Sequence, residues 1–361
     1  MHFKPTYKRS ISTQRGFTLV ELMVSLILGL ILISGVLSVF ISNRDNYKVS
    51  ENIARIQENS RTAYDLISRD IREAGETPCG SKLMANLIRS GGTIPWWADW
   101  NSGTIRGFAG GTDTTGIVGF GTTTNARVNG TEALLIMQAS DNETNITSHD
   151  TGTYDMVLNS VTGLNEDDIV VACDLQSAAI FQIDSPTQSS KSINYDPFFS
   201  TLNCGNGLAY PTTTACASTT LKSFDTTSAQ VAKLKTSFWY IGVGSNGKNS
   251  LYRTRISKKN GQVSFDKDEV VSNVGTLIIR YLTKDISTDT LNTSWVAADD
   301  AIFSIANGEW SENNTNQVVA VRLSIALLSE DAISSTNTNI VKTLTYVISL
   351  RNRDTLFQVT P

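Results

Sequence analysis

The sequence is short of the residues on which catalysis and metal binding depend. Among 361 residues there are two histidines, His2 and His149, and four cysteines, Cys79, Cys173, Cys204 and Cys216. No Cys-x-x-Cys pair occurs, so a zinc site has no ligand set to draw on. A Ser-His-Asp site would have to use His149, which stands in the polar run "DNETNITSHD" and reads as a solvated loop histidine. Neither a Walker loop nor a G-x-G-x-x-G occurs. The acidic clusters "NEDD" (165–168) and "ADD" (298–300) lack the spacing of an EF-hand and read as solvated turns. The expectation is a chain with no catalytic residue, no cofactor and no metal. A basic excess is also missing: the formal charge is −4, which offers no nucleic-acid surface.

Two further absences are local. From Thr6 to Thr77 there is no proline, with Pro5 and Pro78 at either side. From Phe17 to Ile41 there is one charge, Glu21, in 25 residues. That run is long enough to span a bilayer as a helix. A signal peptide would have a shorter apolar stretch followed by a small-residue cleavage site, whereas here the small residue, Gly16, precedes the run. Before Phe17 the charges are Lys4, Lys8, Arg9 and Arg15, with no acid among them, and without these four the chain carries −8. By the positive-inside tendency residues 1–16 stay cytoplasmic and everything after residue 42 is translocated. Glu21 then poses a question, because a lone carboxylate in hydrocarbon costs at least ~2.5 kcal/mol.

Past the apolar run, Ile53, Ile56, Ser60, Ala63, Ile67, Ile71 and Ala74 recur at three- and four-residue steps, the stripe of a helix with one buried face. Arg55, Glu58, Arg61, Asp65, Arg69, Asp70, Arg72 and Glu73 lie between them as a solvated face of mixed sign. Gly75, followed by Pro78, supplies a stop. The pattern predicts one helix over 17–75, about 58 residues or ~85 Å at 1.5 Å per residue.

After residue 80 the texture changes to glycine, threonine, serine and asparagine with short apolar runs. Strands are predicted at 132–140, 167–175, 178–183, 237–244, 251–257, 276–282, 317–329 and 343–351, with "SNGKNS" (245–250) as a hairpin connection. No second long helical pattern provides crossovers, so antiparallel pairing is expected. Residues 84–130 and 184–230 show no usable periodicity. "PWWADW" (95–100) is expected to anchor a local core under a long loop. The fold class is therefore α+β, a long N-terminal helix, transmembrane then amphipathic, packed on an antiparallel sheet.

An even cysteine count beyond the membrane segment suggests two disulfides, with three connectivities open.

"RGFTLVELMVSLILG" resembles the class III leader and first helix of type IV pilins and pseudopilins. On that resemblance Gly16 is the residue before the prepilin-peptidase cut, Phe17 the N-methylated first mature residue and Glu21 the fifth. Major pilins often have a proline later in this helix, where Ser38 stands here. "NSRTAYDLISRDIREAGETPCG", "DIVVACDLQSAAIFQI", "SLYRTR", "QVVAVRLSIALLS" and "VISLRNRD" are similar to PilW-type minor pilins. The resemblance implies a leader at 1–16, a helix at 17–75 with 17–41 in the membrane, and a β-rich periplasmic head at 76–361. It implies an inner-membrane protein that moves into the pilus fibre, near its tip, as a minor pilin. Its partners would be other minor pilins, the major pilin, the inner-membrane assembly platform, prepilin peptidase and a large tip adhesin. It also answers the question of Glu21. Cleavage gives Phe17 a free α-amine of pKa near 8, and a neighbour's carboxylate stacked with an axial offset can pair with it. The alternatives are a J-like pseudopilin of type II secretion and a membrane-tethered binding module or enzyme that never polymerises. Cys204 and Cys216 close a 13-residue loop, "CGNGLAYPTTTAC", which suits a short disulfide. By elimination Cys79 is expected to pair with Cys173.

Overall fold

A computed structural model describes residues 16–80, 83–114, 116–210, 221–259, 262–303, 316–333 and 338–351. Its single long helix among these residues, α1 (Leu19–Arg72), starts at Thr18 and ends at Glu73. Gly75 follows in the left-handed region, φ +74°, and donates its N–H to Met137 O. A Cβ there would stand 2.8 Å from Thr104 Oγ1, so both the backbone turn and the close approach require glycine.

The strands follow in chain order: β1 (Met84–Asn86), β2 (Ile105–Phe108), β3 (Ala133–Asp150), β4 (Asp155–Leu158), β5 (Ile169–Cys173), β6 (Ala178–Gln182), β7 (Pro186–Thr187) and β8 (Ser192–Asn194). Then come β9 (Gln230–Val243), β10 (Asn249–Lys259), β11 (Gln262–Ser272), β12 (Val274–Asp285), β13 (Thr290–Leu291), β14 (Asn316–Ile333) and β15 (Thr338–Ser349). An eleven-stranded sheet has β9 at its centre, between β3 on one side and β5 and β10 on the other. A second sheet has the order β13-β12-β14-β15. Pairing is antiparallel apart from β1, which joins β6 in parallel. The β9–β10 hairpin turns at Gly247, φ +75°, where the Asn246-Gly247 signal stands.

The helix packs on β14 and β15 and reaches β11 and β3. Ile56, Ala63, Ile67, Ile71 and Ala74 share one core with Leu134, Trp239, Ile279, Val321, Leu323 and Ile325, so both sheets meet under the helix. Two further cores carry the rest of the large sheet. Trp97 and Trp100 are buried in one of them, and Trp96 packs on Phe265 at a ring separation of 5.0 Å. Residues 84–130, aperiodic in sequence, thus hold β1, β2 and much of that core.

Three expectations need correction. Ile53 is 39% exposed, and Asn52 takes its place as the first buried residue of the stripe. The helix leaves the head at this turn, and one residue's rotation (about 100°) decides which side chain is covered. Asp70 is buried, not on a solvated face. His149 lies inside β3, half-buried, not in a solvated loop.

Candidate functional site

The N-terminal rod is set by its cap. Thr18 Oγ1 accepts the Glu21 N–H at 3.3 Å, and Glu21 Oε2 accepts the Thr18 N–H at 3.3 Å, a reciprocal capping box. Glu21 also places a negative charge in the first turn, where the helix dipole favours it. The T-x-x-E pattern at 18–21 is the sequence signature of this cap. Ser25 and Ser34 donate their hydroxyls to the carbonyls of Glu21 and Ile31 at 2.7 and 2.8 Å. These side chains therefore present little polarity outward.

Every large apolar residue from Phe17 to Ile41 is exposed, Phe17 at 82% and Ile41 at 53%. This half of α1 is long and apolar enough to cross a membrane, spanning about 37 Å over its 25 residues. Gly16 and Phe17 precede the first turn and are exposed. Gly16, Phe17 and Glu21 thus lie together at one end of an unpartnered rod, while the head begins at Asn52, more than eight turns away.

The other half of α1 is fixed to the head by polar contacts that the sequence did not reveal. Asp70 Oδ1 accepts Arg253 Nη2 at 2.8 Å and Asp70 Oδ2 accepts Trp239 Nε1 at 2.9 Å. Arg253 lies over the Trp239 ring at 5.4 Å and also donates to Ser237 Oγ. Burial lowers the Arg253 pKa, while Asp70 pulls it back up. Further along, Tyr64 stacks on Tyr346 at 4.4 Å, and Ser60 Oγ and Tyr346 Oη are 2.6 Å apart. Arg55 bridges Glu51 of its own helix and Glu330 of β14. Just past the helix, Cys79 is joined to Cys173 on β5, Cα–Cα 5.8 Å. The pairing of Cys204 with Cys216 lies outside the described residues, since Cys216 is not among them.

The remaining chemistry-bearing residues are tied into the fold. His149 Nε2 lies 2.8 Å from Tyr195 Oη, and Nδ1 accepts the Phe224 N–H at 3.2 Å. Burial pushes its pKa down to about 4. In the 165–168 cluster Asp168 pairs with Lys233 at 2.7 Å and Asp167 accepts Gln182 Nε2. Asp300 closes a turn by accepting the Ile302 N–H. Among the described residues no three His, Cys, Asp or Glu side chains gather as a metal site.

Comparison with known families gives two matches. The prokaryotic N-terminal methylation motif matches residues 11–37, spanning Gly16, Phe17 and Glu21. The type IV pilus-assembly protein W family matches residues 238–352, from β9 to the end of β15. No curated protein and no solved structure matches the chain. The exposed apolar rod, the methylation motif at one end of the chain and the PilW match over residues 238–352 at the other together support a pilin-like protein in pilus assembly.

Proposed function

We propose that this protein is a minor pilin of the type IV pilus, inserted through α1 and acting at the fibre tip or in the complex that starts a fibre. The observation that carries this reading is the division of α1. One half is buried on the head, and the other is a bare apolar rod carrying a single carboxylate five positions into the chain from Phe17. Cleavage between Gly16 and Phe17, with methylation of Phe17, would place a cationic amine at the rod's end. A neighbour's Glu21 can pair with that amine only at the correct axial offset, so the charge selects the stagger that a uniform apolar surface cannot. Before processing, residues 1–16 would face the cytoplasm and the head the periplasm. About 285 residues hang from this one helix after Gly75, more than a typical domain. Such a head is easiest to place where neighbours are few.

Glu21→Gln is the test. Glutamine preserves the capping box but removes the charge, so cleavage and membrane insertion should proceed while incorporation into fibres falls. Gly16→Val should block cleavage, read by N-terminal mass analysis. Wild-type incorporation of Glu21→Gln would refute the pairing role. Normal piliation in a deletion strain, seen by electron microscopy, would refute a part in starting fibres.

A further inference from the structure

The second sheet ends on β15, and among the described residues no strand pairs with its outer edge. It pairs with β14 without interruption from Val341↔Leu328 to Ser349↔Ala320. Free edges are usually blunted by charge, proline or a bulge. This one has a single charge, Lys342, and no proline. Val341 and Val347 are 59% and 60% exposed on the face away from α1, with Thr343 and Thr345 exposed between them. Leu344, Tyr346 and Ile348 point to the covered face, where Ile348 is buried and Tyr346 meets Ser60 and Tyr64.

Residues 340–348 read Ile-Val-Lys-Thr-Leu-Thr-Tyr-Val-Ile. About Leu344 the order is the same in both directions, save that lysine on one side answers tyrosine on the other. We propose that β15 pairs with itself: a second copy of this chain adds its β15 antiparallel across a two-fold axis at Leu344. Val341 then faces Val347, Thr343 faces Thr345, and Ile340 faces Ile348, each pair on one face of the sheet. Lys342 faces the Tyr346 ring rather than a second lysine. Cross-strand β-branched and Thr–Thr pairs are the favourable ones, and like charges directly opposite are avoided. The result is one eight-stranded sheet with an isologous interface.

The axis also fixes the helices. α1 lies over β14 and β15, so two copies bring their helices side by side on one face at roughly 10 Å, the spacing of packed helices. Arg55 meets Glu330 near the start of β15 and Tyr64 stacks on Tyr346 towards its end, so α1 runs along the strand. Antiparallel strands therefore carry antiparallel helices, and the two apolar rods point opposite ways. Such a pair cannot share one bilayer. The surface fits two heads meeting from separate membranes or separate fibre ends.

The test uses the full mature chain in detergent. Light scattering should give twice the chain mass. Oxidation should cross-link Leu344→Cys with itself, and Val341→Cys with Val347→Cys, but not Val341→Cys alone. Val341→Lys with Val347→Lys places lysines opposite each other twice and should give monomers of unchanged circular dichroism. Mixing that variant with Val341→Glu/Val347→Glu should restore the doubled mass. Phosphatidylcholine vesicles carrying the wild-type chain should cluster, and those carrying the lysine variant should not. A monomeric wild type, or a dimer indifferent to the lysines, overturns the proposal. So does a dimer that forms only after removal of residues 352–361, which would assign the edge to the chain's own tail.

Discussion

Removing the Asp70 carboxylate should loosen the helix from the head more than any other single change along α1. Asp70 is 1% exposed, and its two oxygens answer Arg253 and Trp239 separately. In Asp70→Ala the Arg253 guanidinium stays in place with its side chain 12% exposed, holding only Ser237 Oγ and the Trp239 face. Breaking one side of a buried ion pair costs about 3–5 kcal/mol, because the other charge is left uncompensated. At roughly 2–4 °C per kcal/mol for a domain of a few hundred residues, the midpoint should fall by about 6–20 °C. Asp70→Asn keeps an acceptor for one donor and should lose less. The double variant Asp70→Ala/Arg253→Leu removes the stranded charge and should recover part of the loss, a coupling that a thermodynamic cycle reads directly. Thermal unfolding of the mature chain in detergent, followed by near-ultraviolet circular dichroism, is the assay. A midpoint within about 2 °C of wild type for Asp70→Ala, or no coupling to Arg253, would refute the reasoning.

Arg127 is fully buried, with its guanidinium on the carbonyls of Ala109, Thr112 and Thr131 and its head over Phe120. Arg127→Met should cost about 3 kcal/mol, since several acceptors lose their donor, and hydrogen exchange should rise across 109–131 first. His149 should make the fold acid-sensitive. Its pKa is depressed to about 4 from 6.5, so the unfolded chain takes the proton first, and stability present above pH 6.5 is lost as pH falls towards 4. His149→Gln should flatten that slope in pH-dependent unfolding midpoints. Replacing Cys79 and Cys173 by serine opens a link across 94 residues, worth up to about 4–5 kcal/mol in the chain-entropy account. Proteolysis near residue 80 in the double variant checks it.

The long helix and the main strands were legible because their signals are local. A missing proline, an uncharged run and a 3.6-residue stripe need no knowledge of partners, and the apolar runs "EALLIMQAS" and "QVVAVRLSIALLS" fall on β3 and β14. Glu21 stands out for the same reason, as the one charge in a run without others. Asp70 was not, because a carboxylate among Arg69, Arg72 and Glu73 looks like its neighbours until Trp239 and Arg253 arrive from 169 and 183 residues away. The polar half of β3, beyond the predicted 132–140, is hidden in the sequence for a related reason. The "DNETNITSHD" stretch is held by ladders to β9 and β4, and His149 is half-buried because Tyr195 and Phe224 pack against it. Residues 84–130 carry a core without periodicity, since an irregular segment can be ordered from within by one buried arginine.

The two halves of α1 answer to different solvents, and that difference orders the energetics of assembly. The head half is held by burial against two sheets, by Asp70 and by the Cys79–Cys173 link, all present in the single chain. The rod half has none of these. It exposes apolar surface from Phe17 to Ile41, and lipid tails cover such surface as well as neighbouring helices do. Apolar area alone therefore cannot drive the rod out of a membrane into a fibre. What can distinguish the two environments is polar. The Glu21 carboxylate is satisfied in the lone chain by Thr18, through bonds of 3.3 Å that are long for a charged acceptor. A cationic amine from the next helix would bind it better than the cap does. On the proposed reading, the chain keeps its carboxylate weakly capped while alone and strongly paired once assembled, and that difference favours the fibre.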